Sequence, residues 1–442
     1  MQVNVIPQQQ IKTVTLVNTC AGWLILLMVL SSVSHVFFTI IPVYVPGILA
    51  WLSAFFLLPR LSKVIALQTT ILIIISVSCL FTTFYRHGSF NFIALFNYNI
   101  GLISLLAGVS YLKLVALPSN ENTFPSPKGK KAFLLTLISA HLFSAVINLS
   151  ALFLFAERIK QRNNLSKPAL ILVTRAFSTA AFWSPFFAAM GVAITYAPDA
   201  SLFQLVMQGV PLAIAAALLT YWQVVKVDNN AIENFKGYPI GVKSFFIPLL
   251  LVFGVFVIHA LYPSISVVLI IAALAIFLTL MITSIRYKPK QAIAKFNIHT
   301  INALPKMSNE LILFLSAGLL SFSVATLLTT FDQPLPIIYF DYFHAVFLLL
   351  IIILLSVFGL HPVISISISG GVLAPLDINH NVLGLIYLSS WALGMIISPL
   401  SGLNISVANH YSLSFKQIIS WHYRYVIIMY IFTCLALWLL MV

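Results

Sequence analysis

The chain reads as an all-α integral membrane protein with about 11 transmembrane helices plus two re-entrant hairpins in two inverted repeats. Three observations lead there. Of 442 residues, 61% are hydrophobic and 7% are charged, and the mean hydropathy is +1.06, a balance that no water-exposed surface tolerates. The apolar residues fall in runs near the ~20 residues a helix needs to cross ~30 Å of hydrocarbon. The net charge of +14 sits in short loops between those runs. There it is a topology signal, and no nucleic-acid surface is expected.

Taken in order, Met1 to Thr13 is polar with one Lys12, and the first apolar run, 16–38, lacks a small-residue cleavage site. It is expected to stay as a first span, with residues 1–40 forming a cytoplasmic amino-terminal tail and that span. Runs 41–58, 64–84 and 91–117 follow as three more spans. The next run, 132–157, carries a conflict. Lys128, Lys130 and Lys131 precede it, while Arg158, Lys160, Arg162 and Lys167 follow it, and the positive-inside rule places both clusters in the cytoplasm. A single span cannot begin and end on one side, so 132–157 is expected to dip in and return. Backbone of that kind is tolerated at membrane depth only where protein buries it or where it lines a cavity.

Run 168–198 is too long for one helix and is expected to be broken; 201–225 completes a first unit, 41–225. A basic stretch, 226–243, links it to a second unit, 244–442. There, 244–262, 264–284 and 308–331 read as spans, 336–375 as a second hairpin, 381–409 as a second broken helix and 417–441 as the last span. In this topology one of the 23 basic residues, Arg86, lies in an outward loop, and Asp199, Asp332 and Asp377 also lie outside. Each unit runs span, span, span, hairpin, over-long span, span. One begins outside and the other inside, so the units are inverted copies. Ala107-Gly108 finds a counterpart in Ala317-Gly318, and Ser184-Pro185 in Ser398-Pro399, at near-equal offsets of 210 (317 less 107) and 214 (398 less 184).

Inverted repeats with broken helices place a substrate near the bilayer midplane, where half-helix amino termini face anions and unwound carbonyls face coupling cations. Serine is a preferred N-cap and proline a preferred first helical residue, so Ser184, Pro185, Ser398 and Pro399 are candidate substrate-binding residues at half-helix starts. Arg175, about seven residues into its span, either pairs with a substrate anion or snorkels to the interface. Hard cations take neutral oxygen ligands, which makes Asn148, Ser150, Ser401 and Asn404 candidate coupling-ion residues. His361 joins them at the second hairpin tip, where a histidine suits proton coupling. Serine and asparagine also hold membrane helices together by hydrogen bonding. Cys20, Cys79 and Cys434 lie inside apolar runs as packing residues, and no phosphate loop or metal-ligand cluster is present. No catalytic residue and no cofactor are expected beyond a sodium ion or proton as coupling ion.

The run order, with Asn148-Leu-Ser150, Ser184-Pro185 and Ser398-Pro-Leu-Ser401 at the breaks, resembles the ion transporter superfamily. That group includes divalent anion/sodium symporters, the large membrane subunits of tripartite dicarboxylate transporters, and arsenite and citrate permeases. The resemblance implies inverted repeats, each with a re-entrant hairpin and a discontinuous helix, and an anionic solute moved with sodium or protons. The chain departs from the sodium symporter branch in lacking its Ser-Asn-Thr tripeptides, which leaves coupling ion and dicarboxylate substrate open. The expected protein is thus a secondary active transporter of the cell's inner membrane, with the bilayer and a small anion as partners and a homodimer as candidate assembly. The rival reading is an envelope polysaccharide polymerase or ligase. Such enzymes resemble one another in a sizeable outward loop with catalytic arginines, whereas here the outward loops are short and hold Arg86 alone.

Overall fold

The computed structural model describes residues 8–37, 41–116, 128–162, 166–227, 232–238, 246–330 and 339–441. These residues form helices and no strand, with one isolated bridge between Lys128 and Lys236. Among them, nine helical stretches are long and apolar enough to cross a membrane, and four shorter apolar helices accompany them. The protein is therefore an all-α membrane protein. Helices are the expected solution, because in hydrocarbon each backbone N–H and C=O must find its partner within the segment.

In chain order the helices of the first half are α1 Gln8–Phe37, α2 Tyr44–Leu57, α3 Lys63–His87, α4 Phe92–Asn97, α5 Ile100–Ser110, α6 Lys113–Ala116, α7 Gly129–Ile147, α8 Leu149–Arg162, α9 Lys167–Ala180, α10 Ala188–Tyr196 and α11 Leu202–Val227. The second half follows with α12 Phe246–Leu261, α13 Val267–Arg286, α14 Pro289–Asn302, α15 Ser308–Leu328, α16 Tyr342–Val357, α17 Pro362–Leu373, α18 His380–Ile397, α19 Gly402–Tyr411 and α20 Phe415–Met441. Two departures from the sequence expectation stand out. The run 91–117 is not one helix: it turns at Asn99, whose φ of 64° is left-handed and whose side-chain amide donates to the Phe314 carbonyl at 2.7 Å. Residues 289–302, expected as loop, form the basic helix α14, started by Pro289 and packed against α1 through a face that buries Ala292, His299 and Thr300. The expected outward position of Asp332 lies outside the described residues.

The chain forms two compact units, Met1–Val115 with Ile258–Phe331, and Ala116–Val257 with Asp332–Val442. In the first, α3 packs on α15 and α5 packs on α13. Second and third spans of one half thus meet third and second spans of the other. Close approach there depends on glycine: a Cβ on Gly108 of α5 would stand 2.8 Å from the Ala272 backbone of α13, and one on Gly318 of α15 would stand 2.8 Å from the Asn99 side chain.

The second unit holds the helices from α7 to α11 and from α16 to α20. Its packing pairs also match: α7 with α9 and α16 with α18, α9 with α11 and α18 with α20, α7 with α11 and α16 with α20. The chain folds back between α7 and α8, because the Phe143 and Phe155 rings, 12 positions apart, meet edge to face at 6.1 Å. In a continuous helix they would be about 18 Å apart. At the centre of this unit lies the stretch His380–Tyr411, 94% of whose most apolar window is buried, against 22% for Lys63–His87.

Candidate functional site

Both over-long runs break where proline withdraws a backbone donor. After Ala180 the chain leaves helical geometry for seven residues and resumes at Ala188; after Ile397 it does so for four and resumes at Gly402. Pro185 and Pro399 lie inside these breaks, where each would interrupt the helical ladder. The caps differ from the sequence expectation. Phe187, not Ser184, is the N-cap of α10, and it supplies no side-chain oxygen. Ser401, not Ser398, is the N-cap of α19, its hydroxyl accepting from the Asn404 N–H at 3.1 Å.

The reason is tertiary. Ser184 is fully buried, and its hydroxyl donates to the carbonyl of Ala145 on α7 while accepting from the Phe186 N–H at 3.2 Å. It is committed to the hairpin and cannot cap the next half-helix. Asn148, the single residue between α7 and α8, has φ 51° and ψ −138°, and its Nδ2 donates to the Phe186 carbonyl at 3.2 Å. The first hairpin tip and first helix break are thereby joined at two points. Asn148 Oδ1 is buried without a hydrogen-bond donor, as is Ser144 Oγ one turn earlier. Ser150 lies in the first turn of α8, part-exposed.

The second hairpin meets the second break and its helix through packing. Gly359, with φ 93°, turns the chain between α16 and α17, and the Leu400 side chain occupies the space where its Cβ would be. His361 is the N-cap of α17, its Nδ1 accepting from the Val363 N–H at 3.2 Å, and its ring stands edge-on to Trp391 at 5.2 Å. A Cβ on Gly394 would meet Ser356 Oγ at 2.6 Å and Pro362 at 3.2 Å. Within the break, Asn404 Nδ2 reaches back to the carbonyls of Ser398 at 2.8 Å and Ile396 at 3.0 Å. Asn404 Oδ1 and Ser398 Oγ are buried without donors. The first hairpin tip and the second break therefore each hold an asparagine whose nitrogen is spent on carbonyls, beside buried oxygens that accept from no donor. Such oxygens suit a cation, whereas an unpaired buried acceptor is costly when left empty.

Arg175 is not part of either break. It lies five residues, or about 7.5 Å at 1.5 Å per residue, before the end of α9. The residue is 2% exposed, and its guanidinium donates to Gln223 Oε1 on α11 at 2.8 Å, and on α20 to the Trp421 carbonyl at 2.8 Å and His422 Nδ1 at 3.3 Å. The Tyr425 ring covers it at 4.2 Å. The arginine is thus held inside the protein and does not snorkel.

Sequence reasoning missed one residue beside the first break. Trp183 Nε1 donates to His141 Nε2 at 3.0 Å, and His141 Nδ1 lies 2.9 Å from Thr179 Oγ1 and 3.2 Å from the Ala176 carbonyl. An indole N–H can only donate, so His141 Nε2 accepts and its proton sits on Nδ1. The imidazole is held neutral, in one tautomer, against the break. The available signal is the one ring-bearing polar residue of the apolar hairpin arm.

No family model matches the chain, and no curated protein matches it. Among solved structures, the YdaH transporter of Alcanivorax borkumensis, described as having an unusual topology, aligns over 84% of this chain and 97% of its own at 14% identity, with a TM-score of 0.39. A likeness so loose carries no weight for fold or function.

Proposed function

We propose that this protein is a secondary active transporter that moves a small anionic solute across the cell's inner membrane by alternating access, driven by sodium or protons. The observation that carries the reading is the pairing of two hairpin tips with two helix breaks in one unit, the first through the Asn148 and Ser184 hydrogen bonds and the second through the packing of Leu400 on Gly359. Unwound backbone is expensive in hydrocarbon and is kept where a polar solute must be received. The matching element order and packing pairs of the two halves support an inverted repeat. The half-helix starts at Ala188 and Gly402 offer partial positive charge to the anion, and the donor-free oxygens of Asn148, Ser144, Ser398 and Asn404 offer ligands to the cation.

Proteoliposomes carrying a sodium or a proton gradient, challenged with labelled small carboxylates, phosphate and sulfate, test the reading. Uptake of at least one anion is expected to follow one gradient and to vanish in the Asn148→Ala/Asn404→Ala double variant. The double variant must still insert and fold. Uptake of none of the anions under either gradient, with no sodium-specific shift in thermal unfolding, overturns the proposal.

A further inference from the structure

Beyond the helix breaks, the unit formed by Ala116–Val257 and Asp332–Val442 contains a second chemically distinctive place. A cavity of about 540 Å³ opens where the start of α9, the end of α11 and the first turns of α20 come together. Four cations line it: Lys167, Arg175, Lys226 and Arg424. Among the described residues, no carboxylate lies within 4 Å of any of them; the ion pairs present join His344 to Asp341, His380 to Asp199 and His410 to Glu157. Four positive charges around one cavity repel one another, and lysine at the first residue of a helix also opposes the helix dipole. Lys167, Lys226 and Arg424 are exposed, so water and salt ease their repulsion, and an anion in the cavity would relieve what remains.

The remaining walls say what kind of anion. Trp421 lies under the Lys167 ammonium at 5.7 Å and Trp222 under that of Lys226 at 4.8 Å, and Pro168, Ile171, Val224 and Ile428 line the wall together with the polar Gln223 and Ser420. A mixed wall of this kind fits a molecule with an anionic head and an apolar body. At the inner end, Arg175 is already oriented by its three acceptors, which use three of its five N–H groups. Two N–H groups remain on a planar fork whose geometry matches phosphate oxygens. The volume falls in the range of roughly 300–1,000 Å³ typical of pockets that hold whole small molecules, well beyond a single inorganic ion.

We propose that this cavity is a binding site for a phosphate group carried on an apolar body, with Arg175 at its floor and Lys167, Lys226 and Arg424 around its mouth. Basic pockets between transmembrane helices on the cytoplasmic side commonly take anionic lipid headgroups. By the positive-inside rule, Lys167 and Lys226 are expected on that side. The same chemistry is offered by a soluble phosphate ester.

Thermal unfolding of the full-length protein, delipidated in a neutral maltoside detergent, tests the site. It is titrated separately with phosphatidylglycerol, phosphatidylcholine, glycerol 3-phosphate and inorganic phosphate. Phosphatidylglycerol is expected to raise the unfolding temperature while phosphatidylcholine does not, and Lys167→Gln/Lys226→Gln is expected to need roughly tenfold or more lipid for half the effect. These two lysines are exposed, so the variant keeps its fold; Arg175→Gln is the stronger variant if it folds. A response to glycerol 3-phosphate or inorganic phosphate that outcompetes the lipid supports the site and assigns it to a soluble ligand. Equal responses to both lipids, equal responses in wild type and the double-lysine variant, or no response in any arm each overturn the proposal.

Discussion

The side chain of Asn148 donates to the backbone carbonyl of Phe186, 38 residues later, at 3.2 Å, so the tip of the first hairpin is fastened to the first helix break. Pro185 offers no N–H to continue the ladder of α9, and one carbonyl of the break, that of Phe186, takes its donor from the hairpin. Hairpin and break behave as one structural element. A substitution in either is felt in both.

Asn148 accordingly separates two contributions. Its φ of 51° with ψ −138° belongs to the region that glycine enters freely and alanine does not. Asn148→Ala is expected to lose the hydrogen bond, about 0.6 and up to ~1.7 kcal/mol for an interhelical bond in a membrane protein, while keeping the backbone strain of about 1–3 kcal/mol that the asparagine already bears. Asn148→Gly loses the same bond but is relieved of the strain. Unfolding in detergent should therefore rank Gly above Ala, and equal stability of Gly and Ala would refute the strain argument.

The serines at the second break should part company. Ser401→Ala removes the N-cap of α19 and is expected to cost about 1 kcal/mol. Ser398 Oγ has no partner to lose, so Ser398→Ala is expected to leave stability nearly unchanged while weakening transport. Parallel unfolding and uptake measurements on the two variants decide this. Comparable destabilisation by both would mean that Ser398 has a structural bond.

Two glycines give opposite expectations for the same substitution. Gly209 of α11 packs its bare Cα against the backbone carbonyl of Phe182 in the first break, and backbone cannot rotate away from an added methyl group. Gly209→Ala should lower the folded yield and displace the break. Gly402, the first residue of α19, has open space on its Cβ side, so Gly402→Ala should be neutral or stabilising by up to ~1 kcal/mol from helix propensity alone. Detergent solubility and size-exclusion profiles of the two variants provide the comparison.

Sidedness can be read directly. With single cysteines in place of Lys130, Lys160 and Asp377 in a cysteine-free background, impermeant reagent added to intact cells is expected to reach position 377 alone. Positions 130 and 160 should label only after permeabilisation. Labelling of 130 and 160 from opposite faces would make 132–157 a crossing segment.

How much of this was legible in advance depends on how local the cause was. The breaks at Ser184-Pro185 and Ser398-Pro399 were visible because proline acts on its own helix. The caps were misassigned because a cap is a competition: the Ala145 carbonyl, 39 positions away, claims the Ser184 hydroxyl. At the second break the spacing Ser401-Gly402-Leu403-Asn404 did carry the local signal, but Ser398-Pro399 drew attention first. His141 and Trp183 were not paired in advance, because their contact exists only after the hairpin has folded back. The basic cavity was hidden for the same reason. Its cations come from three helices; in the sequence Lys167 and Lys226 read as loop charges that set topology, Arg175 as a substrate candidate, and nothing local brings them to Arg424. Asn99 was lost inside an apolar run, where nothing short of the Phe314 carbonyl explains its left-handed backbone.

The anchoring of Arg175 has a consequence for how the protein is made. Its acceptor on α20, the Trp421 carbonyl, lies 246 residues downstream, and at about 5–20 residues per second a ribosome needs roughly 12–50 s to synthesise that interval. For most of that time Gln223 of α11 has been made but the carbonyl and imidazole of α20 have not, and an arginine at the middle of a nascent helix costs about 2.5–3.5 kcal/mol on insertion scales. The last helix is therefore also the one that completes insertion of the ninth. Chains truncated before Trp421 should leave α9 loosely inserted and be recognised by membrane quality control, although every residue of α9 itself is intact.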